Sequence, residues 1–134
     1  MTQSLVDTDI LSMFFRDQAT VTEKFFSYLS IFKKINISII TYYEVMSGLK
    51  HRDAKKQMAS FLDFVSLNTV LPVTENSATI SSEIYAGLRL NGKPLDDIDV
   101  LIAGIAIENN LTLITHNIKH FKRIKQLKIE DWSE

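Results

Sequence analysis

The chain has no cysteine and only three histidines among its 134 residues. It can therefore build no disulfide framework, no thiolate zinc site and no cysteine nucleophile, and it is too poor in imidazole for a His-rich metal centre. Two prolines and four glycines are too few for a flexible linker, and no segment is repeated or of low complexity. A dominant charge sign is missing too. Fifteen Lys and Arg face sixteen Asp and Glu, for a net charge of -1, so nothing draws the whole molecule to a polyanion and any such binding must come from a local patch. The apolar runs fall far short of the roughly 18 to 20 residues that span a bilayer, and no basic segment followed by an apolar one opens the chain. These absences predict a cytoplasmic protein that makes no membrane contact. What remains, 46% hydrophobic and 23% charged, is ordinary for one compact domain over residues 1–134, which at this length buries about two-thirds of its unfolded surface.

Four acidic or amide side chains lie far apart in this chain, each at the edge of a strongly apolar segment. Leu5-Val6 runs into Asp7. The run from Ile37 to Thr41 leads through Tyr42-Tyr43 to Glu44, Asp99 opens Val100-Leu101-Ile102-Ala103, and the run from Leu111 to Thr115 ends two residues before Asn117. Burying an unpaired carboxylate costs several kcal/mol at least. Acids gathered beside core segments need a partner, and a divalent cation is the natural one.

The hydrophobic spacing sets the frame. Residues 4–8 read as a short buried strand, and 10–15 as a helical turn or two capped by Asp9. Phe25, Leu29 and Phe32 recur at helical spacing from Val21, and the β-branched run from Ile35 to Thr41 reads as a strand. Helices are expected over 42–49, around Met58, Phe61, Leu62 and Val65, over 75–90 ending at Asn91-Gly92, and over 97–109. Leu67 to Val73 is a strand whose Pro72 favours an edge position, Leu111 to Thr115 a buried strand and Leu127 to Trp132 a weak last one. Strands alternating with helices imply right-handed crossovers and a largely parallel sheet. Sites in such sheets form beyond the carboxyl ends of the strands, where Asp7, Glu44, Asp99 and Asn117 converge.

Each acid has a plainer reading. Asp7 at a strand end can cap the next helix, although Asp9 behind it is the better cap, and Glu44 can be a first-turn acid that complements the helix dipole. Asp96, Asp97 and Asp99 crowd one helix start. Asp96 and Asp99 share a face, so Asp99 is the expected ligand and Asp96 its N-cap or an accessory acid. Thr8 and Thr115 can hydrogen-bond carboxylates or phosphate. Lys119, Lys122, Arg123, Lys125 and Lys128 form a basic stretch after Asn117, with His116 and His120 among them; a solvated face is one reading, contact with phosphates the other. Arg89 is a more remote candidate. Phe14, Phe15, Phe25 and Phe26 exceed what one helix face needs, which leaves some for a partner groove.

Taken in order, Leu5-Val6-Asp7-Thr8-Asp9-Ile10-Leu11, Tyr43-Glu44-Val45 with Gly48, Gly92-Lys93-Pro94-Leu95 before Asp99-Val100-Leu101-Ile102-Ala103, and Leu113-Ile114-Thr115-His116-Asn117 with Phe121 resemble the PIN-domain ribonucleases, and within them the VapC toxins of bacterial toxin–antitoxin pairs. The resemblance spans nearly the whole chain. It implies a three-layer α/β/α sandwich with a central mostly parallel sheet, an endoribonuclease dependent on Mg2+ or Mn2+, an RNA substrate of which tRNA is one candidate, a cognate VapB-like antitoxin and a homodimer. It carries the family's three metal-binding acids onto Asp7, Glu44 and Asp99, and a fourth catalytic position onto Asn117. The chain departs from many relatives at Asp9 and at Ile98, where they have Asn. Neither change removes a metal-binding carboxylate, and an amide at Asn117 suits support of the site better than direct ligation.

The chemistry agrees with this donor set. Phosphodiester hydrolysis is opposed by the substrate's negative charge, and an oxygen-rich site for Mg2+ or Mn2+ counters it by neutralising charge and acidifying a water aligned for attack. The products of such a reaction are a 5′-phosphate and a 3′-hydroxyl. Two rival readings stand beside it. A phosphatase of the haloacid dehalogenase type would use Asp7 of Asp7-Thr8-Asp9 as a covalent nucleophile, but Ile10 stands where that signature has Gly, and Glu44 has no role. The other rival is a catalytically inactive PIN domain that only binds a partner.

Overall fold

The structure, a computed structural model, describes residues 1–134. Five short strands, β1 (Ser4–Val6), β2 (Asn36–Ser38), β3 (Thr69–Leu71), β4 (Thr112–Ile114) and β5 (Ile129–Glu130), alternate with seven helices. These are α1 (Thr8–Phe15), α2 (Ala19–Phe32), α3 (Ile39–His51), α4 (Lys55–Leu67), α5 (Glu75–Leu90), α6 (Asp97–Glu108) and α7 (Ile118–Phe121). The strands form one sheet in the order β3-β2-β1-β4-β5, and every pairing is parallel. The expected three-layer α/β/α sandwich is what forms.

Alternation along the strands sends side chains to two apolar layers. Leu5 and Leu113 join α5, α6 and Phe121 on one face, whereas Val6, Ile37 and Ile114 meet α1, α2, Phe61 and Trp132 on the other. Covered on both faces, β1 is buried at all three residues, and Leu5 and Val6 are apolar in succession instead of alternating with polar residues. Pro72 directly follows β3, the edge strand, where its missing N–H costs no ladder bond. No helix is long and apolar enough to cross a membrane.

One expected strand is shorter than its β-branched run. Residues 35–41 read as strand, but extension stops at Ser38, whose hydroxyl accepts the Thr41 N–H at 3.0 Å and caps α3. A good N-cap overrides the weak β preference of Ile39, Ile40 and Thr41. The short α7 was not expected, while α5 occupies the expected 75–90, closed by a reciprocal capping box between Thr74 and Ser77 and followed by Gly92 at φ +68°.

Between α5 and α6, Gly104 leaves no room for a side chain. A Cβ there would lie 2.0 Å from Ser81 Oγ and 2.6 Å from the Ser77 carbonyl oxygen. Ser81 Oγ donates to the Val100 carbonyl at 2.9 Å, and Thr74 Oγ1 donates to Glu108 Oε2 at 2.6 Å. The α6 N-terminus, which carries Asp99, is thus fixed against α5.

Candidate active site

The chain leaves β1 toward β2 and β3 on one side and returns to β4 and β5 on the other, so the sheet order reverses between β1 and β4. Sheets of this kind bind ligands outside the carboxyl ends of the strands at that point. At the carboxyl end of β1 stands Asp7. It is only 8% exposed, and its N–H bonds the Ile114 carbonyl at 2.8 Å. Its carboxylate takes a bond on each oxygen, from Thr8 N–H to Oδ1 at 2.9 Å and from the Thr115 hydroxyl to Oδ2 at 2.8 Å.

Asp7, not Asp9, occupies the N-cap position of α1. Asp9 instead joins two segments, since its Oδ1 accepts the Ile10 N–H at 2.7 Å and its Oδ2 accepts the His116 N–H at 3.0 Å. Glu44 arrives from α3, and its Oε1 accepts from the Thr8 hydroxyl at 2.7 Å; that hydroxyl also lies 3.0 Å from Thr41 Oγ1. Of the partners open to Thr8 and Thr115, carboxylates or phosphate, both hydroxyls meet carboxylates here. Asp96 holds the N-cap position of α6 without a side-chain capping bond.

The electrostatics tie these groups together. Burial pushes the Asp7 carboxyl up to about 7; the charges of Asp9 and Asp99 add to the rise, and the bonds from Thr115 and Thr8 oppose it. Asp9 is also raised, again chiefly by burial, against the pull of the Ile10 and His116 amides. Asp99 is raised by burial, then by Asp96, with Glu44 and Asp9 contributing and His120 opposing. Asp7, Asp9, Asp96, Asp99 and Glu44 thus share one field. Asp9, expected as a helix cap, lies in the field of these acids, and its spacing of two from Asp7 is the signal in the sequence that points to it.

An oxygen-only donor set with mutually raised carboxyls has the chemistry of a Mg2+ or Mn2+ site. No three His, Asp or Glu side chains lie close enough together to hold an ion by themselves. Mg2+ does not require that, because it usually keeps several waters and takes one or two carboxylates. Of Asp7, Asp9, Asp99 and Glu44, one or two carboxylates could hold such an ion, with waters completing its shell.

The other candidates sort themselves by contact. Asn117 caps α7 by position; its N–H donates to Thr115 Oγ1 at 3.0 Å and its Nδ2 lies 2.8 Å from His120 Nδ1, so it supports the loop and touches none of the acids. Arg123 is half-buried and donates to the Pro94 carbonyl at 3.0 Å, holding the loop before α6, whereas Lys119, Lys122, Lys125 and Lys128 are exposed. Arg89 lies on α5 over the Tyr85 ring, 4.5 Å from its centroid. Phe25 is buried with Phe14 stacked on it at 4.1 Å, while Phe15 and Phe26 are 40% and 62% exposed.

Known proteins resemble the chain in sequence and in fold. The chain is 32% identical to a tRNA(fMet)-specific endonuclease VapC from Shigella flexneri, over 99% of this chain and 100% of that one. The fold is also that of chains in solved complexes. VapBC2 from Rickettsia felis, bound to a promoter DNA fragment, superposes with a TM-score of 0.85 at 30% identity over 96% of this chain and 98% of the matched one. VapBC-1 from nontypeable Haemophilus influenzae superposes with a TM-score of 0.87 at 26% identity over 98% of both. The family described as PIN domain matches residues 4–127. With its sheet order, its acids at the β1/β4 junction and this match over nearly its whole length, the chain belongs to the PIN domain family.

Proposed function

We propose that residues 1–134 form one PIN-like nuclease domain that hydrolyses RNA phosphodiester bonds with the aid of Mg2+ or Mn2+, as the toxin of a VapBC-type pair. The observation that carries this reading is the buried Asp7 at the end of β1, with Asp9 and Asp99 near enough to raise it further. A cluster of carboxylates held at that cost has a use when a cation neutralises it. Asp7, Asp99 and Glu44 would hold the ion, which when bound supplies charge neutralisation and an acidified water. Thr115 and Thr8 hold the carboxylates in place. The exposed lysines 119, 122, 125 and 128, in and after α7 beyond the end of β4, supply phosphate contacts.

The Shigella relative's name makes tRNA(fMet) the first substrate to try. The VapBC complexes make a VapB-like antitoxin the expected partner, with the exposed Phe15 edge as a place for an apolar antitoxin segment, and the homodimer expected from sequence belongs to the same reading. A covalent phosphatase role for Asp7 finds no support in this geometry, since that side chain is buried and both its oxygens accept hydrogen bonds.

The test is cleavage of tRNA(fMet) and of pooled cellular RNA by wild type, Asp7→Asn and Asp99→Asn, with Mg2+, with Mn2+ and with chelator. Wild type should cleave only with metal, and the folded variants should not cleave at all. Full activity in folded Asp7→Asn would overturn the proposed site.

A further inference from the structure

The family match ends at residue 127, yet the segment after it reaches the candidate site. β5 pairs with β4, and the Thr115 N–H donates to the Glu130 carbonyl at 2.9 Å. Trp132 is fully buried against Phe25 and Tyr28, with ring centroids 5.5 and 5.6 Å away, and its Nε1 donates to Glu130 Oε2. Between these anchors, Asp131 is turned toward His116. Its Oδ2 lies 2.9 Å from His116 Nδ1, and its Oδ1 accepts from both the Ser133 N–H at 2.8 Å and the Ser133 hydroxyl at 2.6 Å.

Ser133, His116 and Asp131 are the residue types of a hydrolase triad, but their arrangement excludes that role. Ser133 Oγ lies 3.1 Å from the same His116 Nδ1 that faces Asp131. The serine therefore has no imidazole nitrogen of its own to take its proton, as nucleophilic activation requires. The cluster is a clamp on the His116 ring, and it contains the protein's one ion pair.

What the clamp holds is the loop whose backbone serves the acids. The His116 N–H is the donor to Asp9 Oδ2, and the preceding residue, Thr115, is the donor to Asp7 Oδ2. We infer that Asp131 is a positioning residue of the nuclease site, acting through the His116 ring to keep the 115–117 loop in register with Asp7 and Asp9. The inference rests on the proposed ribonuclease reading and extends its site beyond the segment that the family match covers.

The test compares Asp131→Ala with Asp131→Asn, which keeps the shape of the side chain and one oxygen acceptor for the His116 ring, while its NH2 group takes the place of the oxygen that accepts from Ser133. Two readouts are taken: kcat and KM on an RNA that the wild type cleaves, and hydrogen exchange of the His116 amide by NMR. Asp131→Ala should lower kcat about tenfold with KM little changed, since small misplacement of reacting groups is costly. It should also speed exchange of the His116 amide, and Asp131→Asn should restore both. Should Asp131→Ala fail to fold, His116→Ala cuts the same link from the other side and is expected to lower kcat alike. Unchanged kcat and amide exchange in the folded alanine variant overturn the inference, as does equal loss in the Ala and Asn variants. Wild type that cleaves no RNA overturns the nuclease reading instead; the amide exchange then still decides whether Asp131 orders the loop.

Discussion

Thr115 donates its hydroxyl proton to Asp7 Oδ2 across the β1/β4 junction, a bond between residues 108 apart in sequence that lies wholly in the interior. It is the strongest side-chain interaction opposing the rise of the Asp7 carboxyl. Hydrogen bonds to charged groups contribute about 1.5–3 kcal/mol. Thr115→Val keeps the shape and removes the donor, and it also leaves the Asn117 N–H without its acceptor. The expected result is an Asp7 carboxyl that titrates about one unit higher still, followed by carbon NMR of the side chain, and cleavage reduced about tenfold. An unmoved Asp7 titration in a folded variant would show that the bond does not hold the charge.

Asp7 also fixes how stability follows pH without metal. Its folded value is raised from 3.8 to about 7, so the folded state keeps a proton that the unfolded chain releases. The favourable contribution is fully present below about 3.8 and is lost as pH rises through about 7, a penalty on the order of 4 kcal/mol by the linkage relation. Asp7→Asn carries no such charge. In chelator at pH 8 it should melt above wild type, the two should converge near pH 4, and added Mn2+ should raise wild type but scarcely move the variant. Equal stabilisation of both by Mn2+ would place the cation elsewhere.

The architecture was legible in the sequence because strands buried on both faces carry consecutive apolar residues. Leu5-Val6 and Leu113-Ile114 announce themselves, as do the capped α5 and the edge-strand Pro72. The β2 boundary was less legible because Ser38 competes locally with a β-branched run, and the outcome depends on whether its hydroxyl finds the Thr41 amide. Within the site, residues that end apolar runs were visible one at a time. The pairings Asp9 with His116, Thr8 with Glu44 and Asp131 with His116 were not, because they join segments separated by 107, 36 and 15 residues, and no local periodicity encodes them.

Gly104 offers a test of how the site is aimed. A methyl group there would overlap Ser81 Oγ and the Ser77 carbonyl, and the carbonyl belongs to helix backbone that cannot swing away. Overpacking of this kind costs about 1–3 kcal/mol. Gly104→Ala should lower the melting temperature by several degrees and, by parting α6 from α5, weaken metal-induced stabilisation through Asp99. Gly87→Ala on the same hairpin, with nothing within 4 Å of the new Cβ, should do neither. A Gly104→Ala protein as stable as wild type would mean that the two helices separate freely.

The basic stretch contains residues with different duties, and single charge reversals separate them. Lys122 is exposed at the end of α7, whereas Arg123 is half-buried and holds the Pro94 carbonyl. Reversing Lys122 removes a positive charge from the rim without touching a packed group. If it meets a phosphate, Lys122→Glu weakens RNA binding and reduces the slope of log affinity against log salt by about 0.7 to 0.9, the release of roughly one counterion. Its melting temperature should match wild type. Arg123→Glu loses the Pro94 bond and frees the loop carrying the buried Leu95, so it should melt lower and lose activity through displacement of Asp96 and Asp99. Binding titrations between 50 and 200 mM salt, paired with thermal melts, distinguish the two. A Lys122→Glu protein with the wild-type salt slope would make that side chain part of a solvated face only.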